Sequence, residues 1–225
     1  MIRITAVLVL TVAVTAPIAS APQASHWRPL FDGKSTAGWR GFKQAQMPEG
    51  WTVVDGALTR GGKAGDIVSI EQFDDFELTL EWKIAAGANS GIFYRVVETA
   101  DKAPMWQVAP EYQLIDDRGY KGPLKPTQKT AANYDLQPPR HDATKPAGSW
   151  NTSRIVANGS HVEHWLNGVQ IVTYELWTDE WKALVAQSKF KDHPEYALAR
   201  RGHIGIQDHG DWAAFRNIRV RQLGR

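Results

Sequence analysis

Along residues 75–84 apolar and polar side chains alternate, with Phe76, Leu78, Leu80, Trp82 and Ile84 on one side and Glu77, Thr79, Glu81 and Lys83 on the other. A period of two over that length predicts a strand with one buried and one wet face. Shorter runs repeat the pattern between turn signals. Asp55-Gly56 separates residues 51–54 from 57–60, and Asn158-Gly159 and Asn167-Gly168 separate residues 154–157, 161–166 and 169–174. These pairs favour tight hairpins, so the second group predicts a three-stranded meander. Further strands are expected at 203–207 and 214–223. In the last, Phe215, Ile218 and Val220 break strict alternation, which predicts a bend or bulge. One helix is expected: Thr178 can cap it, and Trp181, Leu184, Val185 and Ser188 follow at helical spacing before Pro194. Residues 117–149, rich in Pro, Gly and Lys, are too long for a plain connection and read as a functional loop or lid, with Tyr134 reaching over a site. No repeats are visible. Many short strands and one peripheral helix imply an all-β fold of two packed antiparallel sheets, with a closed barrel as the alternative.

The amino terminus follows different rules. Arg3 precedes an apolar run over residues 4–16, and Ala19-Ser20-Ala21 supplies small residues for cleavage. Residues 1–21 therefore read as a signal peptide, leaving an exported, periplasmic or secreted domain at 22–225. The run is shorter than the roughly 20 apolar residues of a membrane span, and no second one follows. With no cysteine, a lipidated cysteine, a disulfide and a thiolate metal site are all excluded. Loss of Arg3 leaves 25 basic against 24 acidic residues, so nothing electrostatic points to nucleic acid. Ten tryptophans remain to be explained. Each either fills the core or offers an apolar face to a sugar ring.

Candidate chemistry concentrates in three segments. In residues 111–116, with Tyr112 and Leu114 inward, Glu111 and Gln113 face the other way, and a bulge at Leu114 or Ile115 would bring Asp116 beside them. The same pattern suits an ordinary solvent-facing strand. In residues 89–95, Phe93 and Arg95 share one face; an arginine there either holds an anion or sugar oxygen or forms a structural ion pair. Residues 203–210 place Gln207, Asp208 and His209 at a strand end, where functional groups concentrate. His209 is a candidate acid, base or metal ligand, or a plain surface residue. His164, between Val162 and Leu166, reads as a hydrogen-bonded core histidine. Phosphate-binding glycine loops, HExxH and GxSxG are absent.

The ordered motifs Phe31-Asp32-Gly33-Lys34 with Gly38-Trp39, then 89–95, 111–117, Trp150-Asn151, 164–168, 202–210 and 215–220 resemble the 3-keto-disaccharide hydrolase domain family across residues 27–223. The resemblance implies a concanavalin A-like jelly-roll sandwich, typically exported, that cleaves glycosides first oxidised at carbon 3 by a partner sugar 3-dehydrogenase. It implies a site near Arg95, Glu111, Gln113, Asp116 and Gln207 to His209. Ala131-Ala132-Asn133-Tyr134 lacks a glycine found in the family pattern, which affects the expected lid. A ketone at carbon 3 acidifies the hydrogen on carbon 2, so the expected scheme is proton abstraction, elimination at carbon 1 and rehydration. Glu111 is the expected base, Arg95 and Gln113 the enolate stabilisers, and His209 or Asp116 the proton donor. Gln113, Gln207, Asp208, Tyr134 and Phe93 are the expected substrate contacts. A divalent metal held by carboxylate and imidazole is an alternative to the arginine. Two other readings stay open: direct hydrolysis by Glu111 and Asp116 some 5 to 5.5 Å apart, and a carbohydrate-binding module without chemistry.

Overall fold

A computed structural model describes residues 26–100 and 104–224, so the leader expected at 1–21 lies outside the described residues. Two antiparallel sheets pack face to face. The first runs in the order β11 (Val169–Glu175), β10 (His161–Leu166), β9 (Asn151–Asn158), β6 (Phe76–Ile84), β13 (Ala213–Gln222), β4 (Ala57–Arg60) and β3 (Trp51–Val54), with β1 (Arg28–Pro29) beside β13. The second runs β2 (Trp39–Gly41), β5 (Ile67–Phe73), β12 (Gly202–Ile206), β7 (Asn89–Val96) and β8 (Glu111–Ile115). Neighbours in a sheet are often distant in sequence, and two open sheets rather than a closed barrel result: a jelly-roll sandwich.

The alternation in β6 places all five of its apolar side chains in the core, against Ile92, Tyr94, Tyr112, Leu114, Ile204 and Ile206 of the facing sheet. Each such burial contributes about 1.5–3 kcal/mol. Trp39, Trp51, Trp82 and Trp181 belong to this core as well, which answers the question for those four. The opposite face of β6 is less wet than expected. Glu77 is buried beneath Arg154 and Arg221, and Glu81 pairs with Arg216.

The hairpins form where the turn residues place them, with Asp55, Gly56, Asn167, Gly168 and Gly159 all at positive φ. The expected irregularity in β13 is a register shift between Arg216 and Arg219 with Asn217 at φ 52°. Helix α2 (Asp179–Ala186) begins at Thr178, whose hydroxyl accepts the Trp181 N–H at 3.1 Å. A one-turn helix α1 (Met105–Val108) was not expected, being too short to display a period.

One expectation fails. Pairing of β7 with β8 runs from Asn89↔Ile115 to Phe93↔Glu111 without a shift, so no bulge turns Asp116 onto the face of Glu111. The segment 117–149, expected as a functional loop or lid, is fixed in place and carries Tyr134 beside Lys189. Its middle lies along β8: Ala131 N–H donates to Gln113 O at 2.9 Å, Gln113 N–H to Ala132 O at 3.3 Å and Tyr134 N–H to Glu111 O at 3.1 Å. The unpaired edge of β8 gives this irregular chain partners for its backbone groups.

Candidate active site

Core-facing Ile92, Tyr112 and Ile204 leave their strand neighbours on the outer face of the five-stranded sheet. Register aligns Arg40, Val68, Gly205, Phe93 and Glu111 in one row across five strands. In the adjacent row Gly91 opposes Gln113, and Gln207 N–H donates to Gly91 O at 3.0 Å. Gly91 shapes this surface. A Cβ there would lie 2.3 Å from Glu111 Oε1, so the missing side chain is what lets the carboxylate lie across the sheet. Gly91→Ala is expected to displace Glu111, lowering kcat at least tenfold with a change in Tm of only a few degrees; a fully active variant would detach the carboxylate's position from activity.

Glu111 is only 4 % exposed, and among the described residues only burial and the charges of Lys189 and Asp66 act on its carboxylate. Burial pushes its pKa up to about 8, opposed by the charge of Lys189 and assisted by that of Asp66. Lys189 lies in a short 3-10 turn (Lys189–Asp192), with its ammonium 4.2 Å from the ring centre of Tyr134, 4.6 Å from Trp106 and 5.1 Å from Phe190. Three ring faces hold this cation beside the carboxyl group, while burial draws its pKa down and Glu111 draws it back up. Asp66 precedes β5. Burial raises its pKa to about 6 although it accepts the Asp208 N–H at 2.9 Å. The site thus holds two carboxyl groups with pKa values moved toward neutrality, a usual sign of acid–base chemistry. Two buried amide oxygens on this side of the sheet, Gln207 Oε1 and Asn89 Oδ1, have no partner among the described residues. Both are acceptors suited to sugar hydroxyls.

Glu111, Gln113, Gln207 and Tyr134 are therefore brought together, and the other expected site residues are not. Arg95 departs because β7 carries one extra residue there relative to β12, with Arg95 at φ 55°. That left-handed residue breaks the alternation with Phe93. The guanidinium, 1 % exposed, instead donates to Asp74 O at 3.0 Å, Gly159 O at 2.9 Å and Asp75 Oδ1 at 3.2 Å. This is the structural ion pair, not an enolate clamp. Asp116 lies five residues beyond Glu111, about 16 Å along an extended strand, too far for the direct-hydrolysis pair expected at roughly 5 to 5.5 Å. Its carboxylate accepts from Gly87 N and Arg118 N at 2.8 and 3.2 Å, and against the cost of burial those amides and that of Gly119 hold its pKa low.

Phe93 is sealed under α1 with Val68, Val96, Met105 and Val108 and cannot meet a sugar. Asp208 accepts from Arg60 Nε and Gly65 N at 2.6 Å and from Ala64 N at 3.1 Å, so it fixes the loop bearing Asp66 rather than facing the site. His209 is exposed, with no hydrogen bond among the described residues. His164 sits in the core between Tyr94 OH and Ala131 O, both at 3.0 Å, and burial lowers its pKa to about 4, keeping it neutral. Among the described residues no group of three or more histidine, aspartate or glutamate side chains converges as metal ligands. Asp66, Lys189 and Trp106 were not singled out from sequence. The first two lie in Gly- and Lys-rich turns that look like any solvated loop.

A jelly-roll sandwich with these two carboxyl groups, amide acceptors and ring faces gathered at the outer face of one sheet is a glycoside-cleaving enzyme in its class. Over residues 26–221 the chain matches the 3-keto-alpha-glucoside-1,2-lyase-like domain, and it belongs to that family. A 3-keto-disaccharide hydrolase of Bacteroides thetaiotaomicron is 36 % identical, covering 86 % of this chain and 77 % of the relative. Among solved structures, one assigned as a glycosyl hydrolase of Parabacteroides distasonis superposes with a TM-score of 0.83 at 35 % identity, covering 88 % of this chain and 94 % of that one. A second from the same organism gives 0.71 at 30 % identity, covering 88 % and 100 %. A carbohydrate-binding module of Bacillus subtilis, at 11 % identity and TM-score 0.51, covers 82 % of this chain and 96 % of its own, and shares the fold alone.

Proposed function

We propose that this protein cleaves glycosides carrying a ketone at carbon 3, by removal of the proton on carbon 2, elimination at carbon 1 and addition of water. The observation that carries the reading is Glu111, buried across Gly91 with its pKa pushed up to about 8, within the electrostatic reach of the Lys189 ammonium in its aromatic surround. In its ionised form Glu111 takes the carbon-2 proton. The electron pair moves toward the ketone oxygen, where Lys189 replaces the arginine expected from sequence as the stabilising cation. The enolate then reforms the ketone as the bond from carbon 1 to the glycosidic oxygen breaks, with Asp66 suited to supply a proton to the leaving oxygen. Water adds to carbon 1 and a proton returns to carbon 2. Each well-placed acid or base accounts for roughly 10² to 10⁴-fold in rate. The name of the 36 % identical relative supports the substrate class.

The test is cleavage of a 3-keto-glycoside in heavy water. One solvent deuteron at carbon 2 of the released sugar is expected; a product bearing only protium there would reject the elimination. A second reading, direct hydrolysis of unoxidised glycosides, draws on the two carboxyl groups Glu111 and Asp66, and cleavage of the unoxidised parent at a comparable rate would favour it. The leader pattern at residues 1–21 supports a site of action outside the cytoplasm, where a sugar 3-dehydrogenase would supply the ketone.

A further inference from the structure

Where it leaves β8, the chain reaches the 3-10 turn that bears Lys189. Tyr134 and Asp135, adjacent in sequence, grip the lysine at two points. The Tyr134 ring centre lies 4.2 Å from the ammonium, and the Asp135 carboxylate accepts the Lys189 backbone N–H at 3.3 Å. Asp135 sits at φ 58° and its own N–H donates to Thr127 O at 2.8 Å, so a left-handed turn aims the carboxylate at Lys189. That side chain is 8 % exposed. Lys125, the cation of its own segment, is 3.9 Å away and mostly in solvent, a weak and screened partner. Two carboxylates act on the Lys189 charge, Glu111 and Asp135, both opposing the burial that draws its pKa down. Tyr134 has its pKa pushed up to about 12 by burial, and burial raises that of Tyr196 as well, so both phenols stay uncharged near neutral pH. Of the other ionisable neighbours, His193 packs edge-on against Trp106 at 5.0 Å, Lys191 and Asp192 share the turn with Lys189, and Asp66 acts on Glu111.

We propose that Asp135 is a positioning residue for the reaction, pinning the Lys189 turn through its amide and supplying the countercharge that keeps the ammonium in place; the inference rests on the carbon-2 abstraction reading above. Glu111 cannot fill that role throughout a turnover. In taking the carbon-2 proton it becomes neutral, at the step where negative charge moves onto the ketone oxygen and the ammonium is needed. Asp135 takes no part in the proton transfer, so its charge is the same before and after. Ring faces attract the cation but carry no net charge to offset its desolvation, whereas an opposite charge favours the charged form directly. A purely structural role makes a different demand. The Lys189 N–H needs only an oxygen, and an asparagine at this position supplies one. Asparagine also tolerates the left-handed backbone found there. Asp135→Asn therefore removes the charge and leaves the turn and its hydrogen bond.

In Asp135→Asn, kcat for a 3-keto-glycoside is expected to fall about tenfold, with KM within about twofold and Tm within a few degrees of wild type. Lys189 itself should lose its proton about half a pH unit or more lower. Its titration is read by dimethylating the lysines with labelled formaldehyde, which keeps their charge, and following them by NMR against pH. The Lys189 signal is the one absent from Lys189→Gln. In a Lys189→Gln background Asp135→Asn should cost no further activity, since a residue acting through Lys189 has nothing left to hold. An unmoved Lys189 midpoint, an active variant with unchanged kcat, or an equal loss in the Lys189→Gln background would overturn the positioning role. A lowered midpoint in a protein that cleaves no 3-keto-glycoside would leave Asp135 as the partner of Lys189 and refute the reaction instead.

Discussion

Glu111→Gln is expected to lower cleavage of a 3-keto-glycoside by about 10² to 10⁴-fold while raising the melting temperature at pH 8. Both effects come from one cause. The folded protein holds this carboxyl at a pKa of about 8 against an ordinary 4.5, chiefly because it is buried. Between those values the unfolded chain releases the proton and the folded chain keeps it. Stability therefore declines as pH rises from about 4.5 to about 8 and levels off above. The amide has no proton to lose, so the variant should exceed wild type in Tm by a few degrees at pH 8, with the gap closing toward pH 4.5. In wild type the base must be ionised, so kcat/KM should climb about tenfold per pH unit toward pH 8 and then flatten. An active variant, or a Tm gap independent of pH, would remove Glu111 from the role of base. Loss of activity with a gain in stability also separates catalysis from a binding module, in which neutralising one buried carboxyl would alter no turnover.

Arg95→Met is expected to cost about 3–5 kcal/mol, because it strips partners from Asp74 O, Gly159 O and the Asp75 carboxylate at once. At about 2–4 °C per kcal/mol for a chain of this size, Tm should drop by about 10 °C. The guanidinium joins the turn between β5 and β6 to the turn between β9 and β10, lying 5.4 Å over the Trp177 ring. Gly202 permits the bulge, since a Cβ there would lie 2.4 Å from the Arg95 carbonyl carbon. Below its melting transition the variant should keep kcat within a few-fold of wild type. A large kcat loss in the folded variant, with Tm unchanged, would return Arg95 to the chemistry.

The two cases show what kind of information a strand carries. In β8 no residue leaves the extended conformation, so alternation alone put Glu111 and Gln113 on one face, and they are there. In β7 the same argument coupled Arg95 to Phe93 and failed, because a single left-handed residue turns its side chain away. The break in β13 was legible because its apolar residues fall out of step; β7 is buried throughout and displays no such contrast. The segment 117–149 showed its importance by its length but not its path. Its composition forbids regular structure, yet the open edge of β8 holds its centre in place.

What the chain determined locally was the set of strands, their hairpin turns, the Thr178-capped helix and the buried face of each, since a period of two and the φ preferences of glycine and asparagine act over a few residues. Only tertiary structure decided that Asp66, Trp106 and Lys189 meet Glu111. They come from a loop, the one-turn helix α1 and a 3-10 turn, and neither the desolvation that moves the pKa values of Asp66, Glu111 and Lys189 nor the ring faces that hold the cation exist until two sheets and three connections have packed.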